Sequence, residues 1–296
     1  MNTITGTVST ETLSAGALSR LRAEQPHLTP ALKRLAGVVL ASPHEIIYQS
    51  VTELAESAGV GEASVIRLCR DLGFKGFQDF KLALAADVAL TPFALAPSAP
   101  TPGTDAARSR TTTLQRITDA ALRAVSETSA MLAGTLEPAL ERLAETRTLL
   151  VYGAAASGVT AQDYGYKFVR LGYSVTVHTD AHLAAMTTAT LPREAVVLAL
   201  TRSGSTLDTV KVLELARARG VATLLVTERA KSPATALADV VLTTASSESP
   251  LTGGSIASKM GQLLVLDVLF TELLARLPGA PEAVAATAHA VTDRNL

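Results

Sequence analysis

A buried strand that runs directly into a turn of hydroxyl residues, and then into a helix, is the sequence feature that most constrains this fold. The strand is predicted over residues 196–200 and the helix over 207–219. The turn between them consists of Thr201, Arg202, Ser203, Gly204, Ser205 and Thr206. Short hydroxyl side chains, a glycine that allows close backbone approach and the free N–H groups of a helix N-terminus all suit a phosphate group. The segment therefore predicts a phosphate-binding turn in an α/β domain.

A second turn of small residues lies upstream. A strand is predicted over 148–152, and the turn that follows runs from Gly153 through Ser157 to Gly158, before a helix over about 159–171. In an open parallel sheet, ligands bind beyond the carboxyl ends of the strands, where the direction of winding reverses. Turns after the first and third strands flank such a point, so we expect a small phosphorylated ligand between them.

A nicotinamide cofactor is the alternative for the first turn. Gly153, Ala155 and Gly158 give the pattern G-x-A-x-x-G, but no acidic residue lies at the right place about 20 positions on. Asp180 follows the second predicted strand, which keeps this interpretation open as the less favoured one. A Walker A motif is absent from the sequence. No cofactor is expected.

Composition limits the remaining classes. The 296 residues, 48% of them hydrophobic, are enough for two domain cores. No apolar run approaches the roughly 20 residues that span a bilayer, and the first 20 residues lack a signal-type apolar block, so we expect a cytoplasmic protein without a membrane partner. The single cysteine, Cys69, excludes an internal disulfide, and no Cys/His cluster predicts a metal site. A net charge of −1 does not by itself indicate nucleic acid.

The chain is predicted to contain two domains. A proline-rich, uncharged stretch at 91–103 suits an exposed linker. We expect a poorly ordered tail over 1–27, an all-α domain over 28–90, the linker over 91–112 and an α/β domain over 113–296. The last domain is predicted to be a five-stranded parallel sheet with helices on both faces, an α-β-α sandwich of flavodoxin-like type. Its strands are placed near 148–152, 174–178, 195–201, 221–227 and 239–243, and a long final helix near 254–277.

The all-α domain carries a helix-turn-helix pattern. Ser50 and Glu53 form a capping box that begins a helix over 51–58. Residues 59–61, Gly-Val-Gly, turn the chain into a second helix over 62–72. Two helices joined by a three-residue turn that contains glycine are typical of DNA-binding domains.

The second of these helices has one apolar face and one candidate DNA face. Val65, Leu68, Cys69 and Leu72 recur at helical spacing and should face the core. Arg67 and Arg70, one turn apart, suit phosphate or guanine contacts, although solvated surface arginines are the commoner case. The candidate DNA-contacting residues are Glu62, Ala63, Ser64, Ile66, Arg67 and Arg70, with Lys75 beyond the helix.

The charge of this domain argues against strong DNA binding by one copy. Residues 29–88 contain six basic and seven acidic side chains, a balance of −1. The basic residues must therefore cluster on one face, and two copies must bind two half-sites together.

Both halves of the chain resemble one family. Residues 60–77, VGEASVIRLCRDLGFKGF, are very similar to the recognition-helix segment of the RpiR (MurR/RpiR) transcriptional regulators, and the two turns resemble those of the SIS (sugar isomerase) domain. The resemblance covers about residues 28–277. It implies that a phosphosugar phosphate is held by Thr201, Ser203, Gly204, Ser205 and Thr206, with Ser157 closing the site and Ser255 within reach.

This chain departs from the family pattern at three positions. Gly61 stands where a serine helix cap is usual, Arg202 where glutamine or histidine is common, and Ala155 where a second glycine is expected. Glycine is only a few tenths of a kcal/mol poorer than serine as a cap. The alanine side chain at position 155 leaves a ligand less room to approach the backbone.

The resemblance implies a DNA-binding regulator, more often a repressor, whose operator affinity changes when a phosphosugar binds, and which works as a homodimer or homotetramer. An isomerase that uses the same site is the alternative. It would need a general base, for which Glu248 and His182 are the candidates. A third interpretation makes the N-terminal helices a protein-interaction module.

Overall fold

The computed structural model describes residues 16–94, 105–245 and 255–292. The chain divides into two compact units, with the boundary between residues 100 and 101. The described part of the first unit is 16–94, and the second unit holds the other two ranges.

The first unit is helical. Within its described residues the helices are α1 (Ala17–Glu24), α2 (Pro30–Ala41), α3 (Pro43–Ile46), α4 (Val51–Ala58), α5 (Glu62–Asp71) and α6 (Phe77–Ala94). Leu35, Leu54, Leu68 and Leu84, from four of these helices, meet in one buried apolar core. The core side of every helix is therefore set by its apolar residues.

The prediction of a poorly ordered tail over residues 1–27 is wrong for residues 17–27. α1 is followed by a short 3-10 turn over Gln25–His27. Ala17 and Leu21, one helical turn apart, are fully buried in the core, and the backbone N–H of Leu18 donates to Asp87 Oδ2 at 2.8 Å. The helix was not predicted because its apolar spacing is only one turn long and lies among Ser/Thr residues. Residues 1–15 lie outside the described residues.

The helix-turn-helix has the predicted local structure. Ser50 Oγ accepts from the Glu53 N–H at 3.1 Å, and Glu53 Oε2 accepts from the Ser50 N–H at 2.7 Å, so the capping box is confirmed. Gly59 ends α4 with φ +62°, a conformation that favours glycine. The N–H of Val60 then donates to Ala55 O at 2.9 Å and closes the helix end.

The second unit contains the sheet. Its elements within the described residues are α7 (Asp105–Leu132), α8 (Glu137–Ala144), β1 (Thr148–Gly153), α9 (Ala156–Arg170), β2 (Ser174–His178), α10 (Ala181–Thr188), β3 (Val196–Thr201), α11 (Leu207–Arg219), β4 (Ala222–Thr227), β5 (Val240–Thr243), α12 (Ile256–Arg276) and α13 (Ala280–His289). The five predicted strands and the α-β-α fold class are confirmed. The last helix, α13, was not predicted from the sequence.

The predicted linker over 91–112 is wrong at both ends. α6 extends to Ala94 and α7 begins at Asp105, so only 95–104 remain, and these lie outside the described residues. Residues 105–112 contain no proline, and their alanines and arginines favour a helix.

All strands of the sheet are parallel, in the order β2-β1-β3-β4-β5. Alternate residues of β1 face opposite layers. Val151 packs in the cluster with Phe168 of α9 and Leu266 of α12, whereas Tyr152 packs with Val212 of α11. The winding direction reverses between β1 and β3, which places the ends of these two strands at the expected binding edge.

Candidate phosphate site and nucleic-acid interface

The turn after β3 is closed by its own hydroxyl groups. Thr201 ends β3 and is buried, and its Oγ1 lies 3.3 Å from Thr206 Oγ1. The Ser205 N–H donates to Ser203 Oγ at 3.2 Å, and Ser205 Oγ donates to Ser203 O at 3.2 Å. α11 begins directly after Thr206, so its free N–H groups open at this turn.

Gly204 allows this turn to lie against the segment that follows β4. Its φ is +63°, and a Cβ at this position would overlap the side chain of Ser232. Gly204 O accepts from the Ala234 N–H at 2.9 Å. The backbone carbonyl of Arg202 accepts from the Glu228 N–H at 3.3 Å, which fixes the other side of the turn.

The turn after β1 is equally tight. A Cβ on Gly153 would lie 2.5 Å from Ser157 O, and one on Gly158 would lie 2.8 Å from Gly153 O. Ala155 has φ +50° and ψ −123°, and it is the one non-glycine residue with positive φ among those described. Alanine therefore occupies a position suited to glycine, and the backbone is strained there.

The structure brings the two predicted turns together. Gly153, the last residue of β1, pairs with Leu200, the next to last residue of β3. α9 and α11 both begin at this edge, and two helix N-termini favour an anion. Ser157 is half-buried, and its hydroxyl makes no hydrogen bond within the described ranges. The arrangement can hold a phosphate group.

Ser255, the last predicted site residue, caps α12. Its Oγ accepts from the Ser258 N–H at 3.5 Å. Capping gives this hydroxyl a structural role.

Sequence reasoning missed two polar groups at the same edge. Glu228 follows β4, is buried, and accepts a 2.5 Å hydrogen bond from Ser258 Oγ. The hydroxyl of Tyr152 in β1 is buried without a hydrogen-bond partner in the described residues. Burial raises the pKa of Tyr152 above its ordinary value, and the carboxylates of Asp208 and Asp180 raise the pKa further. A carboxylate at the end of the fourth strand was the available signal for Glu228.

Of the two general-base candidates, the structure describes only His182. His182 is exposed in the first turn of α10. Glu248 lies outside the described residues. Across the described ranges, no group of three or more His, Cys, Asp or Glu side chains could hold a metal ion.

The core face of the recognition helix α5 is confirmed. Val65, Leu68, Cys69 and Leu72 are buried. Burial is the main cause that raises the pKa of the Cys69 thiol from 9.0 to about 12, so this cysteine is a packing residue rather than a nucleophile.

The opposite face of α5 carries the candidate DNA contacts. Ala63, Arg67 and Arg70 are exposed, as is Lys75, whereas Glu62 and Ser64 are half-buried. Ile66 packs against the core, so its predicted exposure is only partly correct. Arg67 Nε lies 3.7 Å from Asp71 Oδ2, and the Glu62 carboxylate accepts from the Thr52 hydroxyl.

Two basic residues outside α5 differ from expectation. Lys81, counted among the basic residues of this domain, is buried, and its Nζ donates to Gln49 O at 2.7 Å. Arg20 of α1 donates from Nη1 to Leu72 O at 3.3 Å and lies over the Phe74 ring. Lys81 is thus unavailable to DNA, and Arg20 instead fixes the end of the recognition helix.

No helix in the described parts of the chain is both long and apolar enough to cross a bilayer.

Comparison with known families and structures identifies both domains. Residues 15–91 match the helix-turn-helix domain of the rpiR family, and residues 142–272 match the SIS domain. An uncharacterized HTH-type transcriptional regulator of Bacillus subtilis, YbbH, is 32% identical over 89% of this chain and 92% of its own length. An HTH-type transcriptional regulator of Caldanaerobacter subterraneus is 33% identical over 86% of this chain and 88% of its own.

A solved structure has the same architecture over nearly the whole chain. The Vibrio vulnificus NanR protein, complexed with ManNAc-6P, superposes with a TM-score of 0.82 and 29% sequence identity, covering 95% of this chain and 100% of that one. The sequence matches and the geometry of both units point to one conclusion. The chain belongs to the RpiR family of transcriptional regulators and consists of a helix-turn-helix domain followed by a SIS domain.

Proposed function

We propose that this regulator is a repressor whose affinity for its operator falls when a phosphosugar binds at the carboxyl edge of the sheet. The observation that carries this proposal is the pairing of two hydroxyl-bearing turns, after β1 and β3, at the point where the winding reverses. Ser157 offers a hydroxyl that has no hydrogen-bond partner among the described residues, and α9 and α11 direct their N-termini to the same place. These are the donors that a phosphate requires.

The ligand class is a sugar 6-phosphate, and an N-acetylated hexosamine 6-phosphate is the first to test. NanR, which shares this architecture, was solved with ManNAc-6P. The hydroxyl and amide donors of the 201–206 turn would hold the phosphate, with Arg202 beside them and Ser157 and Gly153 on the opposite side. Ser255 would reach the sugar only by giving up its helix cap.

DNA recognition is assigned to α5. Arg67 and Arg70 would contact phosphates or guanines, and Ala63 and Ser64 are small enough for the helix to approach the base edges. Glu62, Ile66 and Lys75 would border the contact. Two copies would present two recognition helices to half-sites about 34–36 Å apart, in keeping with the weak charge of one domain. An operator-bound regulator works in the cytoplasm, where we place this protein.

Regulation requires only a modest coupling energy. The ligand would act by changing the geometry between the two DNA-binding domains. A coupling free energy of about 1–3 kcal/mol between ligand binding and operator binding changes operator affinity roughly 5- to 150-fold. Release of repression is the direction we propose, because a bound phosphosugar signals that its catabolic genes are needed.

Calorimetric titration of the chain with ManNAc-6P, and with a panel of other sugar 6-phosphates, tests the site. We expect Ser157→Ala and Ser203→Ala each to weaken binding about tenfold or more, since each removes a phosphate donor or its support. Ser174→Ala is the matched control, because Ser174 is exposed at the start of β2, at the amino ends of the strands rather than their carboxyl ends. Equal binding of unphosphorylated sugars would overturn the phosphate assignment.

An isomerase remains the second candidate because Glu228 provides a buried carboxylate at the same edge. Ser258 Oγ donates a hydrogen bond to the Glu228 carboxylate, and the Glu228 backbone N–H donates to Arg202 O in the turn after β3. Incubation with each phosphosugar, followed by analysis for aldose and ketose forms, distinguishes the two functions. Turnover that Glu228→Gln abolishes would favour the enzyme.

A further inference from the structure

Two buried hydroxyl groups on the α10–α11 side of the sheet have no hydrogen-bond partner within the described residues. They belong to Tyr152, the next to last residue of β1, and to Thr209, in the first turn of α11. Both side chains are fully buried. A buried hydroxyl without a partner costs stability, and native proteins keep few of them. The pair therefore requires a reason, which a bound ligand can supply.

The hydroxyl of Tyr152 lies at the carboxyl edge of the sheet. The Tyr152 ring packs in one cluster with Ala184 of α10 and Val212 of α11. Burial raises the pKa of Tyr152 most, and the carboxylates of Asp208 and Asp180 raise the pKa further. Asp208 lies in the first turn of α11, and Asp180 caps α10. The hydroxyl is therefore close to the N-termini of both helices.

The hydroxyl of Thr209 lies in the same region. Thr209 shares the buried face of α11 with Val212 and is one turn closer to the N-terminus of that helix. α11 directly follows the turn at 201–206, and Ala154 of the turn after β1 packs against the Tyr152 cluster. Both candidate phosphate turns thus border the region that holds the two hydroxyls.

The charges of this region indicate which part of a phosphosugar fits it. Asp180 and Asp208 are exposed there, and their carboxylates repel a phosphate group. A sugar hydroxyl, in contrast, donates to a carboxylate and both donates to and accepts from the hydroxyls of Tyr152 and Thr209. The phosphate therefore belongs at the 201–206 turn, and the sugar extends towards Tyr152.

We propose that Tyr152 is a specificity-determining residue of the phosphosugar site, whose hydroxyl donates to a hydroxyl group of the bound sugar while Thr209 provides a second contact. This inference rests on the proposed function, because it orients the phosphosugar within the same site. The turn that follows Tyr152 contains the strained Ala155, and strain of this kind is typical of ligand clamps and switch regions. Movement of this turn gives the sugar access to the buried hydroxyl.

Tyr152→Phe tests the proposal, because it removes the hydroxyl and keeps the ring. Calorimetric titration of the full-length chain with the panel of sugar 6-phosphates identifies the one that the wild type binds most tightly. The affinity for inorganic phosphate is then measured by competition against it. Tyr152→Phe should weaken binding of the sugar phosphate about fivefold or more and leave the affinity for inorganic phosphate unchanged. Ser157→Ala should weaken both.

Tyr173→Phe is the matched control. Tyr173 is also buried, but its hydroxyl donates to Leu143 O at 2.7 Å, and it lies directly before β2 at the amino ends of the strands. Tyr173→Phe should leave both affinities unchanged and lower the urea midpoint of the ligand-free chain. Tyr152→Phe should not lower that midpoint, because its hydroxyl has no internal hydrogen bond to lose.

The outcomes separate this inference from the proposed function. Equal binding of the sugar phosphate by the wild type and Tyr152→Phe would overturn the inference and leave the proposed function standing. An equal loss of affinity for inorganic phosphate, or a fall in the urea midpoint of Tyr152→Phe as large as that of Tyr173→Phe, would overturn the inference too. A wild type that binds none of the sugar 6-phosphates would overturn both.

Discussion

Gly204 lies directly against Ser232, so that the turn after β3 packs on the segment after β4 without room for a side chain. Gly204→Ala is expected to destabilise the second unit in two ways, through its φ of +63° and through overlap with Ser232. Gly220→Ala is the matched control, because Gly220 has φ +71° but open space around its Cα. We expect a loss of about 1 kcal/mol for Gly220→Ala and at least about 1 kcal/mol more for Gly204→Ala in urea denaturation. Equal losses would mean that the turn can move away from Ser232.

Ala155 is a strained residue in the turn after β1. Ala155→Gly should raise the free energy of unfolding by about 1 kcal/mol, because relief of the φ +50° conformation outweighs the added freedom of glycine in the unfolded chain. Ala154→Gly, at a neighbour without positive φ, should lower stability. Chemical denaturation of both variants is the check, and destabilisation by Ala155→Gly would contradict the strained geometry.

Gly61 leaves the recognition helix without a side-chain cap. Its φ is −80°, and a Cβ there would meet no atom within 4 Å, so a serine fits. Gly61→Ser should stabilise the first unit by about 0.5–1 kcal/mol. Gly59→Ser, two residues earlier at φ +62°, should destabilise it by about 1 kcal/mol. Thermal melts of the two variants must shift in opposite directions.

Arg70 and Arg67 should differ in their effect on DNA binding. Arg70→Ala is expected to weaken binding to all sequences and to reduce the salt slope by about 0.9 if the side chain contacts one phosphate. Asp71→Ala should strengthen binding, because it releases Arg67 from an exposed ion pair and removes a negative charge near DNA. Anisotropy titrations over a salt series measure both effects. Arg142→Ala, an exposed arginine of the second unit, serves as the control and should change neither.

The buried thiol of Cys69 gives the first unit a specific pH dependence. Its pKa is raised to about 12 in the folded chain against 9.0 for a free thiol, so it stays protonated in both states below pH 9 and costs nothing there. As the pH rises from 9 towards 12, only the unfolded state ionises, and stability falls by up to about 1.4 kcal/mol per unit. Denaturation of the wild type and Cys69→Ala at pH 8 and pH 10 should show the extra loss in the wild type alone.

Much of the fold could be predicted because its signals are local. The turn at 201–206 lies between a continuous apolar strand and a helix. The capping box at Ser50 and Glu53 predicts the first residue of a helix regardless of what that helix packs against. The carboxyl-edge location of both turns then follows from the rules of parallel sheets.

The remaining features depend on contacts between distant parts of the sequence. Leu21 anchors α1 only because the first-unit core is already formed by other helices, and Lys81 is buried because Gln49 offers a carbonyl to it. Glu228 lies at the candidate binding edge because β4 pairs with β3, and this pairing is not visible in the local sequence around Glu228. The linker was predicted to extend too far because it was assigned from its proline-rich composition, and the prolines end before the helix at Asp105 begins.

Coupling between phosphosugar and operator is the central claim, and one titration tests it directly. Fluorescence anisotropy of the full-length chain on its own promoter DNA, at fixed salt, would be followed as ManNAc-6P or another sugar 6-phosphate is added, with the matching unphosphorylated sugar in parallel. We predict that one phosphosugar weakens operator binding at least about fivefold, that its unphosphorylated form does not, and that Ser157→Ala removes the response. Specific operator binding that no phosphosugar changes would contradict the account.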